Sequence, residues 1–155
     1  MIELKHCSTD ADFSLARQTV KDYIGWLDMD LSFQDIHSEL SNFVSMYGPP
    51  NGLFVLAWCR GEIAGGAGLR MIETNICEMK RLFVYDQFKN QGIGRTLCTE
   101  LIQEAISLGY DKMRLDTLGR MKTAMKLYNN LGFREIKPYR FNPDPTTKYL
   151  ELSLR

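Results

Sequence analysis

Apolar residues recur along this chain with two periods, and the switching between them predicts alternating strands and helices. Residues 2–7 read as a short first strand. Ser8-Thr9-Asp10 follows, residue types whose side chains cap helix N-termini. Phe13, Ala16, Val20, Tyr23, Ile24 and Leu27 then fall on one helical stripe, and Phe33, Ile36, Leu40, Phe43 and Val44 on a second. The second stripe stops at Gly48-Pro49-Pro50-Asn51-Gly52, a turn. Strand-like runs at 53–59 and 63–71 flank Arg60-Gly61-Glu62, a hairpin turn, and 77–85 is a third run. Ile93, Leu97, Leu101, Ala105 and Leu108 share a helical face that ends at Gly109. Residues 112–116 form another strand. Met121, Ala124, Leu127, Tyr128 and Leu131 form a further helical face, closed by Gly132. Runs at 133–136 and 148–154 read as two final strands around a proline-containing loop, 138–145. The order β-α-α-β-β-β-α-β-α-β-β predicts an α/β sandwich around a mixed sheet, one domain over residues 1–155.

Composition narrows the function classes. Apolar residues at 45% and charged residues at 25% are ordinary for a globular chain. Nineteen Lys+Arg against nineteen Asp+Glu leave no net charge, which disfavours a nucleic-acid or membrane surface. No apolar run approaches the roughly 20 residues that span a bilayer, and no basic-then-apolar leader opens the chain. Cys7, Cys59, Cys77 and Cys98 form no C-x-x-C pair and read as reduced, mostly buried thiols of a cytoplasmic protein. His6 and His37 are the only histidines, too few for a His-rich metal site or a Ser-His-Asp triad, and no metal is expected. His37 borders the second stripe and reads as a packed, hydrogen-bonded side chain.

The sharpest local feature is Lys89-Asn90-Gln91-Gly92-Ile93-Gly94-Arg95, between a strand and a helix. Glycines let a bound group come close to the backbone, and the first amides of a helix point outward toward phosphate. By itself such a turn is equally a tight connection. The spacing is not that of a Walker loop, and the third glycine of a dinucleotide fingerprint is missing.

Lys89 to Gly94 resembles the Q/R-x-x-G-x-G/A signature of the GNAT superfamily of acetyl-CoA-dependent N-acetyltransferases, with Lys in place of Gln or Arg at the first position. The strand Glu78-Met79-Lys80-Arg81-Leu82-Phe83-Val84 resembles that family's pantetheine-binding strand. Ala124-Met125-Lys126-Leu127-Tyr128-Asn129-Asn130-Leu131-Gly132-Phe133 resembles its A-x-x-L-Y-x-x-x-G-F segment. The pairing of E-M-K-R-L with Arg114-Leu115-Asp116-Thr117 is similar to small bacterial members.

The resemblance implies an acyltransferase that moves acetyl from acetyl-CoA to a primary amine by direct attack. It implies a cofactor held by the backbone of Leu82, Phe83 and Val84 and by the amides of Gln91, Gly92, Ile93, Gly94, Arg95 and Thr96. Lys89, Asn90 and Arg95 flank the turn. Phe83, were it to face the thioester, would favour acetyl over longer acyl chains. Tyr128 is the candidate acid for the departing thiolate, a phenol with a pKa near 10. Glu78 is the candidate base, and strand alternation groups it with Lys80, Leu82 and Val84. Asp116 is its rival for substrate contact. Asp30, Phe33 and Tyr139 lie in segments expected to line the acceptor, and Asp28 with Asp30 could attract a cationic amine. Lys80 and Arg81 read as surface cations. A non-catalytic acyl-CoA-binding module on the same fold is the alternative, and Tyr128 with an available base separates the two. A homodimer through the C-terminal strand pair is left open.

Overall fold

The computed structural model describes residues 1–28 and 35–155. The elements run β1 (Ile2–His6), α1 (Asp10–Leu27), α2 (Ile36–Ser41), α3 (Phe43–Tyr47), β2 (Leu53–Cys59), β3 (Glu62–Glu73), β4 (Ile76–Val84), α4 (Ile93–Ser107), β5 (Lys112–Thr117), α5 (Lys122–Leu131), β6 (Arg134–Ile136) and β7 (Lys148–Ser153). The seven strands form one sheet in the order β1-β2-β3-β4-β5-β7-β6. Every neighbouring pair is antiparallel except β4 and β5, which are parallel. The mixed α/β expectation is met.

Two apolar cores lie on opposite faces of this sheet. On one face Ala67, Leu69, Cys77, Met79 and Met113 pack with Ile93, Leu97 and Leu101 of α4. On the other, Phe54 and Leu56 pack with Phe13, Ala16 and Val20 of α1 and with Phe43 and Tyr47 of α3. Removing such side chains from water is worth about 1.5–3 kcal/mol each. The Tyr47 ring lies directly on β3 at Gly68, where an added Cβ would meet it at 2.6 Å. A side chain at Gly68 is therefore excluded by packing.

Helix α1 starts as its sequence predicts. Thr9 accepts from the Asp12 amide (3.1 Å), and the Asp12 carboxylate accepts from the Ser8 and Thr9 amides (3.0 and 3.2 Å). The second apolar stripe forms two short helices instead of one. Asn42 separates them: its side-chain amide donates to the Ser38 carbonyl (3.0 Å), a local bond that competes with helix continuation. His37 is exposed on α2 and does not pack as expected. All four cysteines are free and buried. No helix among the described residues is long and apolar enough to cross a membrane. The C-terminal pair does not leave β7 at the edge. The edge is β6, three residues with Arg134 and Glu135 exposed. Short, charged edges resist pairing with a second copy.

The feature that positions the site is an irregularity in β4. Gly66 pairs with Phe83 and Gly68 with Lys80, so two β4 residues stand opposite Ala67. Arg81 takes a left-handed backbone conformation (φ 63°) at this bulge. Before it, Cys77 and Met79 face α4, and after it Leu82 and Val84 do. Phe83 faces α1, where it meets the rings of Tyr23 (5.3 Å) and Trp26 (6.1 Å). The expected grouping of Glu78 and Lys80 with Leu82 and Val84 on one face is thus wrong, because the extra residue inverts the alternation.

Candidate active site

Strands β4 and β5 pair only through Ile76–Glu78 and Lys112–Arg114. Beyond that register they part. The β5-facing edge of β4 then has no ladder partner among the described residues, and a cavity of about 70 Å³ opens between the strands. Leu82, Lys80, Asp116 and Tyr128 all contribute to its wall. Three elements far apart in the chain, β4, β5 and α5, converge there because a parallel pair has separated.

Tyr128 reaches the cavity from α5. Its ring packs edge-on against Phe133 (5.8 Å), across the Gly132 turn that ends the helix. Burial, with Cys98, Tyr23 and Asp116 nearby, raises its pKa well above the ordinary tyrosine value. The hydroxyl therefore stays protonated at any neutral pH.

The first turn of α4 abuts α5 beside this cavity. An added Cβ on Gly94 would touch Leu127, the residue before Tyr128, at 3.6 Å. Gly92 begins the helix in a left-handed conformation (φ 76°), and no side chain among the described residues caps the helix start. The amides of Ile93, Gly94 and Arg95 are thus the outward-pointing donors of the helix start. The Thr96 amide and hydroxyl both donate to the Gly92 carbonyl (3.1 and 2.9 Å), so the available run ends at Arg95. Asn90 also has a left-handed backbone (φ 64°), and Asn90, Gln91 and Arg95 are exposed. The side chain of Ile93 is buried in the core, which leaves only its backbone to the site. Lys89 pairs with Asp86 (2.9 Å) and sits over the Trp26 ring (4.5 Å). An unpaired strand edge leading to an uncapped helix start fits the extended amide arm and the phosphates of acetyl-CoA.

Glu78 differs most from its expected surroundings. It is 0% exposed and lines neither cavity of the site. Arg70 donates a hydrogen bond from Nε to Oε1 (2.9 Å), and its Nη2 forms an ion pair with the same oxygen (2.9 Å). Tyr139 donates to Oε2 (2.6 Å), and Arg140 pairs with the same oxygen. Despite burial, Lys80, Arg140 and Arg70 pull its pKa down to about 2. A carboxylate this acidic and this enclosed is a poor proton acceptor. Tyr139, expected against the acceptor, instead spends its hydroxyl on Glu78, with its ring against Tyr149 (5.4 Å).

Asp116, by contrast, lies in the cavity wall. Its Oδ2 is buried with no hydrogen-bond partner among the described residues and stands 3.9 Å from Arg140. Asp30 and Phe33 fall outside the described residues.

Lys80 and Arg81 are not surface cations: each is 8% exposed. Arg81 donates two hydrogen bonds to Glu39 of α2 (both 2.9 Å), which also accepts from the Tyr47 hydroxyl (3.0 Å). Lys80 lines the cavity between the strands and also a second one of about 400 Å³ on the α2 side, with Arg70 and Arg140. Burial lowers the Lys80 pKa to about 8, and Arg81 and Arg140 add to the shift. Reading along the chain missed Arg70, and it placed Arg140 only within the 139–143 segment expected to line the acceptor. No local motif marks either one, and only the tertiary fold gathers them around Glu78.

Outside the site, the ligating atoms of His6, Glu100 and Glu104 lie within 4.8 Å of one another on the surface, where His6 and Glu100 already bond (2.6 Å).

Residues 18–133 match the family described as acetyltransferase (GNAT). A Schizosaccharomyces pombe protein named an uncharacterized N-acetyltransferase is 36% identical over 142 residues, covering 89% of this chain and 86% of that one. The N-acetylaspartate synthetase of Danio rerio is 30% identical over 110 residues, 68% of this chain and 39% of that one. A crystal structure of a GNAT-family acetyltransferase from Staphylococcus aureus Mu50 superposes over 100% of both chains with a TM-score of 0.80 at 23% identity. The parted strands, the uncapped helix start and the relatives agree: the chain belongs to the acetyltransferase (GNAT) family and is an acetyl-CoA-dependent acyltransferase.

Proposed function

We propose that the protein acetylates a primary amine, with the cleft between β4 and β5 as its reaction centre and Tyr128 as its acid. The observation that carries this reading is the meeting of the unpaired β4 edge and Tyr128 at one cavity, with the uncapped start of α4 packed against Leu127, the residue before Tyr128. Acetyl-CoA supplies an activated acyl carbonyl and a thiolate leaving group. The backbone of Leu82 and Val84 offers hydrogen bonds to an extended amide chain, as a strand accepts an added strand. The side chain of Phe83 points to α1, so its contribution is by backbone alone. The amides of Ile93, Gly94 and Arg95 take the phosphates, where the positive end of the α4 dipole also acts. Gln91, Asn90 and the Arg95 guanidinium border that site. Thr96 fixes the turn through its bonds to Gly92. Lys89 holds the turn against α1 through Trp26.

Tyr128 donates a hydrogen bond and then its proton to the departing sulfur, and burial keeps the phenol protonated until the thiolate forms. Asp116 takes the role first considered for Glu78. Its orphaned oxygen in the cavity wall accepts an N–H of the incoming ammonium, and from there the proton can leave. Glu78 acts one layer back, fixing Arg70, Arg140 and Tyr139. The zebrafish relative is named for an N-acetylated amino acid, in keeping with an amine acceptor.

Thermal unfolding with acetyl-CoA, CoA and NAD tests the reading. A ligand at 100 times its Kd stabilises by about 2.7 kcal/mol, and for a chain of this size that raises Tm by roughly 5–11 °C. The rise is expected with acetyl-CoA and CoA and not with NAD. No rise at saturating acetyl-CoA refutes the proposal.

A further inference from the structure

The acceptor side of the cleft balances cations and carboxylates in number, but its carboxylates are already engaged while one ammonium is not. Arg70, Lys80 and Arg140 line the 400 Å³ cavity. Beneath them lies the single charge of Glu78, already shared by both guanidiniums and the Tyr139 hydroxyl. Glu39, at the same wall, is taken by Arg81 and Tyr47. Asp35 is exposed and accepts from the Ser38 amide at the start of α2.

Lys80 is the telling residue. It is buried, faces both cavities, and makes no hydrogen bond or ion pair of its own among the described residues. Its ammonium feels Glu78 and Glu39 at longer range but spends no N–H on either, so its donors remain available to an anion entering the cavities. Across the seam between the cavities, Asp116 presents the opposite deficit, a buried carboxylate oxygen with no donor, 3.9 Å from Arg140. An orphaned acceptor beside an ammonium with no hydrogen bond of its own complements a molecule with an ammonium and an anion close together. A polyamine or a multiply cationic acceptor meets repulsion on the Lys80 side.

We propose that the acceptor is a free amino acid, its ammonium received by Asp116 and its adjacent carboxylate by Lys80, Arg140 and Arg70. The inference rests on the acetyltransferase reading and specifies its substrate class. One carbon separates amine from carboxylate in such a molecule, which suits two oppositely charged sites on either side of one seam. A charge-assisted hydrogen bond of this kind is worth about 1.5–3 kcal/mol, a factor of roughly 10 to 150 in selectivity.

Thiol release from acetyl-CoA, measured with L-alanine, L-aspartate, L-alaninamide and spermidine, tests it. Alaninamide keeps the amine and blocks the carboxylate, as a peptide N-terminus would. At least one of the two amino acids is expected to exceed alaninamide and spermidine at least tenfold in kcat/KM. Lys80→Met is expected to shrink that preference at least fivefold through KM for the amino acid, in a protein that stays folded because Arg70, Arg140 and Tyr139 still hold Glu78. Equal or better turnover of alaninamide or spermidine overturns the inference. So does an unchanged preference in a folded Lys80→Met protein. A thermal shift with acetyl-CoA but no turnover of either amino acid overturns the inference and leaves the acetyltransferase reading standing. No shift with acetyl-CoA removes both.

Discussion

The buried pair between Arg81 and Glu39 should hold the β4 bulge in place, and its removal can be worked through. Arg81 sits at the residue with left-handed backbone, a conformation that costs a non-glycine residue of order 1–3 kcal/mol. Two 2.9 Å hydrogen bonds to Glu39 tie it down, and the carboxylate is fixed in turn by Tyr47. Both side chains are nearly enclosed, at 5% and 4% exposure. Truncating one partner leaves the other charged, desolvated and unpaired, which costs about 3–5 kcal/mol. For a chain of 155 residues, each 1 kcal/mol lowers Tm by roughly 2–4 °C, so Glu39→Met should lower it by roughly 6–20 °C. Arg81→Met should fall in the same range. The double variant should recover most of the loss, because replacing both charges with apolar groups of similar size is often near neutral. Urea unfolding and calorimetry of the four proteins give the coupling energy directly. Single variants within 1 kcal/mol of wild type, or losses that add in the double variant, would show that the pair does not hold the bulge.

Tyr128→Phe should lower kcat by about 10²–10⁴, the usual size of a general-acid contribution, while acetyl-CoA still raises Tm; unchanged turnover removes the tyrosine from the chemistry. Glu78, with a folded pKa of about 2 against an ordinary 4.5, stabilises the fold fully above pH 4.5. That contribution, about 3 kcal/mol, is lost as pH falls from 4.5 through 2. Melting curves across this interval should show a steeper decline for wild type than for Glu78→Gln, and equal slopes contradict the assignment. Gly68→Ala should destabilise by about 1–3 kcal/mol through its clash with Tyr47, measured by urea unfolding, whereas unchanged stability would mean that α3 yields freely.

Much of the architecture was legible because it is written in local periods. The stripe from Phe13 to Leu27 needs only a helix and an apolar sheet to bury it, and the Thr9 and Gly132 boundaries are chemical properties of those residues. The glycine turn before α4 was legible for the same reason: positive φ at Gly92 and an uncapped helix start are consequences of a few adjacent residues. The inward facing of Tyr128 followed from its place on the apolar face of α5, whereas its role as acid is what the family resemblance implies.

The charge arrangement was not legible, because it depends on contacts between distant segments. Alternation along β4 misassigned the faces of Leu82 and Val84. The bulge at Arg81 is fixed by β3 pairing and by Glu39, 42 positions away, and neither leaves a local signal. Glu78 read as an available base until Arg70 and Arg140 were brought against it, 8 positions before and 62 after in the numbering. Lys80 read as a solvated cation until the fold enclosed it. The sequence by itself determined the elements, their order and the helix start that can receive phosphate, since each is decided by near neighbours. Only the tertiary structure decided which charges are neutralised, which stay unpaired and where β4 and β5 part, since electrostatic environment and sheet pairing are properties of residues that meet only after the chain has folded.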